Sequence, residues 1–406
     1  MSVTVFEMPG LKIKAKVSEG KVNLYPEGKF SPLGKVVTTP INEYFGGERP
    51  LKYTDEEIII SGWIPPLPSR AFTRLLKSEI TSKMTGKRIP QQVSIAVTGK
   101  CPCDCVFCCA KGIITEPEIT TKEMKSIIDQ AIKMGTHLLT FDGGEPLLRK
   151  DIYDIIAYAS NTPAHTVMFT NGLYLTKEVA YKLKEAGLNT LQVSIDSPYQ
   201  EEHDQIRIMP GIFEKATQGI KYAVEAGLIT SIFYVARPEN SDFKTLYDLL
   251  ALGKKVGAHE VSIYDIMAIG RWLTHEAETL TDEDRARTIT LHKEVNLPGK
   301  EGPKVMAFSF LEGVERFGCM GGRKWMHFTP AGDGIPCSYT PLSFGNVRNY
   351  SLKEIWKNMQ AHPEIKSDCR SCMVQDKEFR KKYIYHIPEG AKLPYPIHKI
   401  KEACPV

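Results

Sequence analysis

The chain lacks long apolar runs: stretches such as Ile58 to Ile60 and Val167 to Phe169 cover only a few residues, whereas a membrane-spanning helix needs roughly 18 or more. Its start, MSVTVFEMPGLKIKAK, mixes charges into the apolar positions and has no signal-peptide core. It also lacks an excess of one charge, since 52 Lys and Arg face 48 Asp and Glu, and no basic stripe indicates nucleic-acid binding. With 42% hydrophobic residues among 406, the composition predicts a folded, cytoplasmic protein rather than a disordered or membrane-spanning one.

Cysteines, in contrast, are present and unevenly distributed. Nine of the ten fall into two groups, which are Cys101, Cys103, Cys105, Cys108 and Cys109, and then Cys319, Cys337, Cys369 and Cys372. In a reducing compartment such clustering indicates metal thiolates rather than disulfides.

From about residue 91, short β-branched runs alternate with amphipathic stretches, which is typical of βαβ units around a parallel sheet. The strands are predicted at Gln92–Thr98, His137–Asp142, Thr166–Thr170, Thr190–Ile195, Thr230–Val235 and Glu260–Ile266. The helices are predicted at Thr121–Met134, Asp151–Ser160, Lys177–Ala186, Phe213–Ala226 and Phe243–Val256. Four helices stop at a glycine before the next strand, as C-cap glycines do, namely Gly135, Gly187, Gly227 and Gly257. The pattern therefore predicts an α/β fold with six such units.

The flanking regions differ from this repeating pattern. Residues 1–90 contain short strand-like pieces, a Pro-rich linker over Gly62 to Arg70 and a helix over Ala71 to Lys83. After about residue 298 the chain becomes rich in Gly and Cys. We predict an accessory region at 1–90, a core of βα units at 91–300, a Cys-rich domain at 301–390 and a tail at 391–406.

The spacing C-x3-C-x2-C is formed by Cys101, Cys105 and Cys108, directly after the first predicted strand. Three thiolates on one loop can hold three irons of a four-iron cluster and leave the fourth open for substrate or cofactor chemistry. Structural zinc is the alternative, but it needs four closed ligands, and only Cys103 or Cys109 is near enough to complete the set. We interpret those two as spare small residues.

With these cysteines in the form CPCDCVFC, and with Phe107 before the third, the chain resembles the radical S-adenosylmethionine superfamily. The resemblance implies a partial (β/α)6 barrel, in agreement with the six predicted units. It also implies that S-adenosylmethionine binds the open iron of a 4Fe-4S cluster and is cleaved to a 5'-deoxyadenosyl radical, which abstracts a hydrogen atom from the substrate.

Further positions match the cofactor-binding pattern of that superfamily. Gly143, Gly144, Glu145 and Pro146 follow the second strand and resemble its GGE motif, which contacts the methionine amine; a surface turn is the alternative. Ser194 and Asp196 end the fourth strand with one residue between them, so alternation points both to one face. The resemblance implies that they hold the cofactor ribose, whereas a turn or N-cap would be their structural role. The same comparison suggests that Arg207 reaches the cofactor or an acidic partner, and that Met267 supplies a backbone contact to adenine.

The second cysteine set resembles the SPASM extension, which carries auxiliary iron-sulfur clusters. Cys319 is separated from Gly332 by twelve residues, and Cys337 follows after four more; Cys369 and Cys372 then form C-x2-C. The next cysteine of a full SPASM domain is replaced by Glu378, so the set suits one auxiliary 4Fe-4S cluster, as in the shortened twitch version. A structural zinc knuckle is the alternative.

A closed four-cysteine set suits electron transfer, which leads us to expect net oxidation (dehydrogenation, decarboxylation or crosslinking) of a peptide or small metabolite. The expected electron donor is a flavodoxin- or ferredoxin-type protein. The alternatives are a barrel-shaped binding or assembly protein with structural metal knuckles, and an RNA-modifying radical enzyme. Candidate substrate contacts are Tyr199, Tyr234, Arg237, Tyr264, Asp265, Arg323, Trp325 and His327.

Overall fold

A computed structural model describes residues 2–313, 316–367 and 371–400. Cys369, one of the predicted cluster ligands, lies outside the described residues. None of the described helices combines the length and apolar content needed to cross a bilayer.

The N-terminal region folds into a small α+β unit. Its elements are β1 (Ser2–Met8), β2 (Leu11–Ser18), β3 (Lys21–Glu27), α1 (Ser31–Phe45), β4 (Lys52–Tyr53), β5 (Ile58–Ile59) and α2 (Arg70–Thr85). The first three strands form an antiparallel sheet. In β2 every second residue is buried, as expected for a strand with one face on the core. The sequence pattern predicted α2 but not α1, which carries Pro40 in its interior.

The six predicted barrel strands are confirmed. They are β6 (Gln92–Thr98), β7 (Leu138–Gly143), β8 (His165–Thr170), β9 (Thr190–Ser194), β10 (Ile229–Ala236) and β11 (Glu260–Asp265). They pair in chain order and in parallel. Continuous burial along β9 and β11 reflects a sheet covered on both faces.

Helices cover the outside of this sheet. They are α3 (Thr121–Met134), α4 (Ile152–Ser160), α5 (Lys177–Glu185), α6 (Gln200–Arg207), α7 (Ile212–Glu225), α8 (Phe243–Val256) and α9 (Asp282–Val295). The four predicted terminating glycines all adopt positive φ, between 79° and 113°, which a residue with a side chain rarely adopts. Short 3-10 turns occur at Pro146–Leu148, Pro238–Asn240, Gly270–Trp272, Glu276–Glu278 and Ile397–Lys399.

The sheet continues past residue 300, where the sequence pattern placed the end of the barrel. The added elements are β12 (Lys304–Ala307), α10 (Phe308–Leu311), β13 (Trp325–Phe328) and β14 (Gly334–Ile335). β12 lies parallel to β11 at one edge, β13 lies parallel to β6 at the other, and β14 continues antiparallel to β13. Two segments of the Cys-rich part thus extend the barrel wall.

The remaining elements surround the second cysteine set. They are β15 (Leu342–Ser343), α11 (Leu352–Ala361), α12 (Pro363–Lys366), α13 (Lys377–Phe379), a π-helical turn at Arg380–Ile384 and β16 (Tyr395–Pro396). Arg380 is buried and donates to the carbonyls of Ala268 (2.9 Å) and Leu273 (2.9 Å), beyond the end of β11. These bonds fasten the C-terminal part to the mouth of the barrel.

Gly62 and Trp63, the first residues of the predicted linker, lie across the other end of the barrel. The Gly62 carbonyl accepts hydrogen bonds from Thr190 (3.0 Å), and Trp63 donates to Ser262 (3.0 Å). The Trp63 ring lies 5.9 Å from Phe169 and 5.8 Å from Phe308, between centroids. The N-terminal ends of the strands are therefore closed by aromatic packing from residues that precede the barrel.

Candidate active site

The first cysteine loop follows β6 at the carboxyl end of the sheet. The Cys103 thiol hydrogen-bonds to both Cys101 and Cys105, so its sulfur lies among the motif cysteines rather than apart from them. The hydrogen bond from Cys103, opposed by burial and reinforced by the charge of Arg207, lowers the pKa of Cys105 to about 6. A thiol deprotonated this readily is suited to metal ligation.

Two elements hold the backbone of this loop in place. At the end of α6, the Ile206 carbonyl accepts a hydrogen bond from the Val106 amide (3.0 Å). From beyond β11, the Arg271 amide donates to the Cys108 carbonyl (3.0 Å), and its guanidinium donates to the Asp104 carbonyl (2.9 Å). Residues distant in sequence therefore hold the cysteine loop over the barrel.

Arg207 supplies the positive charge beside the thiols. Its guanidinium lies 2.5 Å from the Asp196 carboxylate and 3.6 Å from the Cys105 sulfur. Asp196 is fully buried, and its second carboxylate oxygen has no hydrogen-bond partner. Arg207 was expected to reach the cofactor or an acidic partner, and in the structure its acidic partner is Asp196. The arrangement places a fixed cation next to a predicted thiolate cluster, where it offsets negative charge.

Gly143 and Gly144 pack against the chain that leads into the cysteine loop. A Cβ at Gly143 would lie 2.3 Å from the Thr98 carbonyl oxygen, and one at Gly144 would lie 2.2 Å from that of Lys100. The Gly144 amide donates to Thr98 (2.8 Å), and the Glu145 amide donates to Lys100 (2.8 Å). The close approach of two backbones therefore requires glycine at both positions.

We expect Gly144→Ala to lower the free energy of unfolding by about 1–3 kcal/mol, because the added methyl group must push the cysteine loop away. It should also reduce the iron bound after anaerobic reconstitution. Urea unfolding and iron analysis measure both effects. Gly47→Ala is the matched control, since a Cβ there meets nothing within 4 Å. Equal stability and iron content in the two variants would contradict this account of Gly144.

Glu145 connects two neighbouring strands of the barrel. Its carboxylate is fully buried and accepts hydrogen bonds from the Thr170 hydroxyl (2.8 Å), the Asn171 amide (2.7 Å) and the Leu147 amide (3.1 Å). The side chain therefore bridges the ends of β7 and β8. Burial raises the pKa of Glu145.

A cavity of about 650 Å³ lies in front of the cysteine loop. Most of the predicted site residues line it, namely Cys101, Cys105, Phe107, Cys108, Gly143, Gly144, Pro146, Ser194, Arg207 and Met267. Asp196 and Glu145 are instead buried behind the wall. Three thiols at the motif spacing, open on one side and flanked by a cation, fit a four-iron cluster with one free iron. The exposed glycine backbone beside them fits a polar ligand such as an amino acid group.

The predicted substrate contacts divide into two groups. Those that line the cavity are Tyr264, Asp265, Trp325 and His327. Tyr234 is fully buried and donates to the Asn240 carbonyl (2.8 Å), and Arg323 donates to the Glu364 carbonyl (2.8 Å), so both have structural partners. Tyr199 donates to Asp248, and Arg237 pairs with Glu239.

Acidic groups in the cavity were missed by the sequence analysis. Asp142, at the end of β7, lies 3.7 Å from the His327 ring, and burial raises its pKa to about 7. Glu312, after α10, has its pKa raised to about 8 by burial and by the charge of Asp265. The position of Asp142 just before the GGE motif was a usable signal, whereas nothing in the local sequence distinguishes Glu312.

The second cysteine set is assembled on the same side of the barrel. Cys319 and Cys337 are buried and Cys372 is half-buried, and the charges of Cys319 and Cys337 act on Cys372. Burial raises the pKa of Cys337 to about 12. Three thiols gathered in an enclosed site fit a bound cluster that Cys369 would complete.

Within 2–313, 316–367 and 371–400, no three Cys, His, Asp or Glu side chains converge on the position of a single metal ion. A four-iron cluster does not require such convergence, because each of its irons takes one thiolate.

Comparison with known proteins agrees with this geometry. A model of the radical SAM superfamily matches residues 95–250, and a model of an iron-sulfur cluster-binding domain, SPASM, matches residues 319–373. An AdoMet-dependent heme synthase of Methanosarcina barkeri is 29% identical over 312 residues, covering 70% of this chain and 88% of that protein. The heme synthase of Nitratidesulfovibrio vulgaris is 31% identical, covering 65% of this chain and 78% of the relative.

The fold has counterparts among solved structures. Streptococcus suis SuiB bound to its precursor peptide SuiA superimposes with a TM-score of 0.56 at 15% identity, covering 85% of this chain and 87% of that one. The cofactors that these matches imply are S-adenosylmethionine, its 4Fe-4S cluster and auxiliary iron-sulfur binding in the C-terminal part. The chain is an enzyme that belongs to the radical SAM superfamily and carries a C-terminal SPASM iron-sulfur domain.

Proposed function

We propose that this enzyme carries out a net two-electron oxidation of a peptide or small metabolite, with the second cysteine set accepting an electron from the substrate radical. The observation that carries the proposal is the position of Tyr339. It lines the cavity and lies within electrostatic range of both Cys109, in the first loop, and Cys337, in the second set. The first cysteine loop lines this cavity, and Met320 and Ser338, the sequence neighbours of Cys319 and Cys337, line it as well.

When bound, the first cluster and S-adenosylmethionine supply a 5'-deoxyadenosyl radical that abstracts a hydrogen atom. Cys101, Cys105 and Cys108 would hold that cluster. Gly143, Gly144, Ser194 and Met267 would bind the cofactor, and Phe107 would pack beside it. Arg207, held by Asp196, would offset the charge of the thiolates. Cys319, Cys337, Cys369 and Cys372 would form the closed auxiliary site.

The second half of the proposed reaction requires a place for the proton that leaves with the electron. The Glu312 side chain, in its carboxylate form, would accept this proton, since it lines the cavity and its charge acts on Cys319 and Cys337. The external electron that starts each cycle would come from a flavodoxin- or ferredoxin-type protein. Peptide binding is supported by the SuiB complex, and a small metabolite by the heme synthases.

A double variant, Cys319→Ala with Cys337→Ala, tests the auxiliary site. We expect it to lose about half of the reconstituted iron and one of two reduced EPR signals, while S-adenosylmethionine is still cleaved to 5'-deoxyadenosine in the presence of dithionite. Mass spectrometry of peptide and metabolite fractions should show oxidised products with the parent enzyme and not with the variant.

Cys109→Ala is the matched control, because this residue belongs to neither predicted ligand set. Two outcomes would refute the proposal. The first is zinc in place of iron at the second set, which would leave no electron acceptor there. The second is regeneration of S-adenosylmethionine during turnover, which would indicate isomerisation instead of oxidation.

A further inference from the structure

The reaction cavity extends from the barrel to the N-terminal unit, and we call the part lined by that unit its second arm; Met306 of β12 and Trp325 of β13 line the same cavity. Met306 of β12 and Leu311 of α10 line this arm and also belong to the hydrophobic core of the N-terminal unit. Helices α1 and α2 supply its outer wall, through Val36, Val37, Pro40, Ile41, Tyr44, Phe45, Phe72 and Leu75. The accessory region is thus part of the cavity wall rather than a separate module.

The walls of this arm are almost wholly apolar. Its charged groups are Glu79 and Lys83 on α2, which follow Leu75 at four-residue intervals, Lys324 beside β13, and Glu312 directly after α10. Lys324 is paired with Glu79 at 2.6 Å. The rest of the cavity lining combines aliphatic and aromatic side chains with polar ones, which include Gln91, Gln92, His137, Asp142, Asp265 and Glu312.

The arm is continuous with the reaction space through a cluster of aromatic rings. Tyr264 stacks on Phe308 at 3.5 Å between centroids and lies 4.8 Å from Phe233, and the ring of Trp63 closes the floor. All four residues line the same cavity as the cysteine loop. A molecule lying in the arm would therefore have one end near the site of hydrogen abstraction.

We propose that this arm binds an elongated hydrocarbon portion of the substrate, of acyl or isoprenoid type, and so positions a carbon of that substrate at the cysteine loop. The proposal names the substrate class and rests on the proposed function above. Transfer of a hydrocarbon chain from water to such walls lowers the free energy and leaves no polar group of the ligand unpaired.

The same walls disfavour other occupants. A peptide in the arm would bury amide groups against helices whose backbone is already hydrogen-bonded, which costs free energy for each unpaired group. A tetrapyrrole would bring several carboxylates to a lining whose cations are Lys83 and the paired Lys324, among the described residues. A hydrocarbon chain meets neither penalty.

The experiment is a competition assay on the anaerobically reconstituted enzyme, with cis-parinaric acid as the fluorescent probe. Saturated fatty acids of increasing length serve as competitors. We expect affinity to rise about fourfold for each added CH2 group until the arm is filled. Ile41→Trp and Val37→Phe, which fill the arm from α1, should weaken probe binding at least tenfold. Thr39→Trp, on the exposed side of the same helix, should leave it unchanged.

Iron content and thermal unfolding show whether the filled variants fold, and the chain-length series on the parent enzyme decides the matter independently of them. The proposal is overturned if affinity does not depend on chain length, if folded Ile41→Trp binds as well as the parent, or if a porphyrin or apolar peptide displaces the probe while palmitate does not. Probe binding should persist in the Cys319→Ala, Cys337→Ala variant, so failure of the electron-acceptor proposal is distinguished from failure of this one.

Discussion

Replacing Cys101, Cys105 and Cys108 together by alanine is expected to abolish cleavage of S-adenosylmethionine and to lower the reconstituted iron from about eight atoms per chain to about four. The variant removes every thiolate of the motif, whereas the second set keeps its own ligands. EPR of the reduced protein should lose the signal that S-adenosylmethionine perturbs and keep the other. Iron and sulfide analysis, together with chromatography of 5'-deoxyadenosine, measures the outcome.

Two single variants sharpen this test. Cys109→Ala should retain both signals, because Cys109 lies outside the C-x3-C-x2-C spacing. Cys103→Ala tests whether Cys103 is a cluster ligand, since its thiol lies between those of Cys101 and Cys105. If Cys103→Ala loses the cluster and Cys101→Ala retains it, the assignment of the ligands is wrong. Full iron in the triple variant would refute the cluster site altogether.

Among substitutions that leave the cluster cysteines in place, Asp196→Ala should cause the largest loss in the free energy of unfolding. It would leave the Arg207 guanidinium, whose side chain is 10% exposed, buried without its carboxylate partner. Breaking a buried ion pair in this way costs about 3–5 kcal/mol. Urea unfolding of the reconstituted protein under anaerobic conditions measures the change in the free energy of unfolding.

The control is Glu178→Ala, which removes a surface pair with Lys182 (2.6 Å) in α5. Pairs of that kind contribute about 0–1 kcal/mol. If the two variants lose the same free energy, Arg207 does not depend on Asp196 for its burial. A second variant, Asp196→Asn, retains the shape of the side chain and removes its charge, so it separates the ion pair from the packing.

The sequence was most informative where local rules decide the outcome. Helix-terminating glycines such as Gly135 and Gly257 divided the chain into βα units, because positive φ at a C-cap depends on the residue itself. The motif cysteines could also be found, since their spacing on one short loop is a local property. Cys369 and Cys372, the two distal cysteines of the second set, could be assigned only because their spacing matches that of a known domain.

Strand alternation accounts for the placement of Ser194 and does not extend to Asp196. Ser194 lines the cavity as expected, but β9 ends at Ser194, so the two-residue period does not continue to the next acidic residue. The orientation of Glu145 likewise depends on the neighbouring strand. Whether a side chain after a strand faces the ligand or the neighbouring strand depends on which partners lie there, and Thr170 and Asn171 are supplied by β8.

The sequence alone determined the superfamily, the six βα units and the motif thiols, because each depends on residues close together along the chain. Only the tertiary structure decided that β12 and β13 extend the barrel, that Trp63 closes one end of it, and that α1 and α2 line the reaction cavity. These features arise from contacts between segments far apart in sequence, and such contacts leave no periodic signal in either segment.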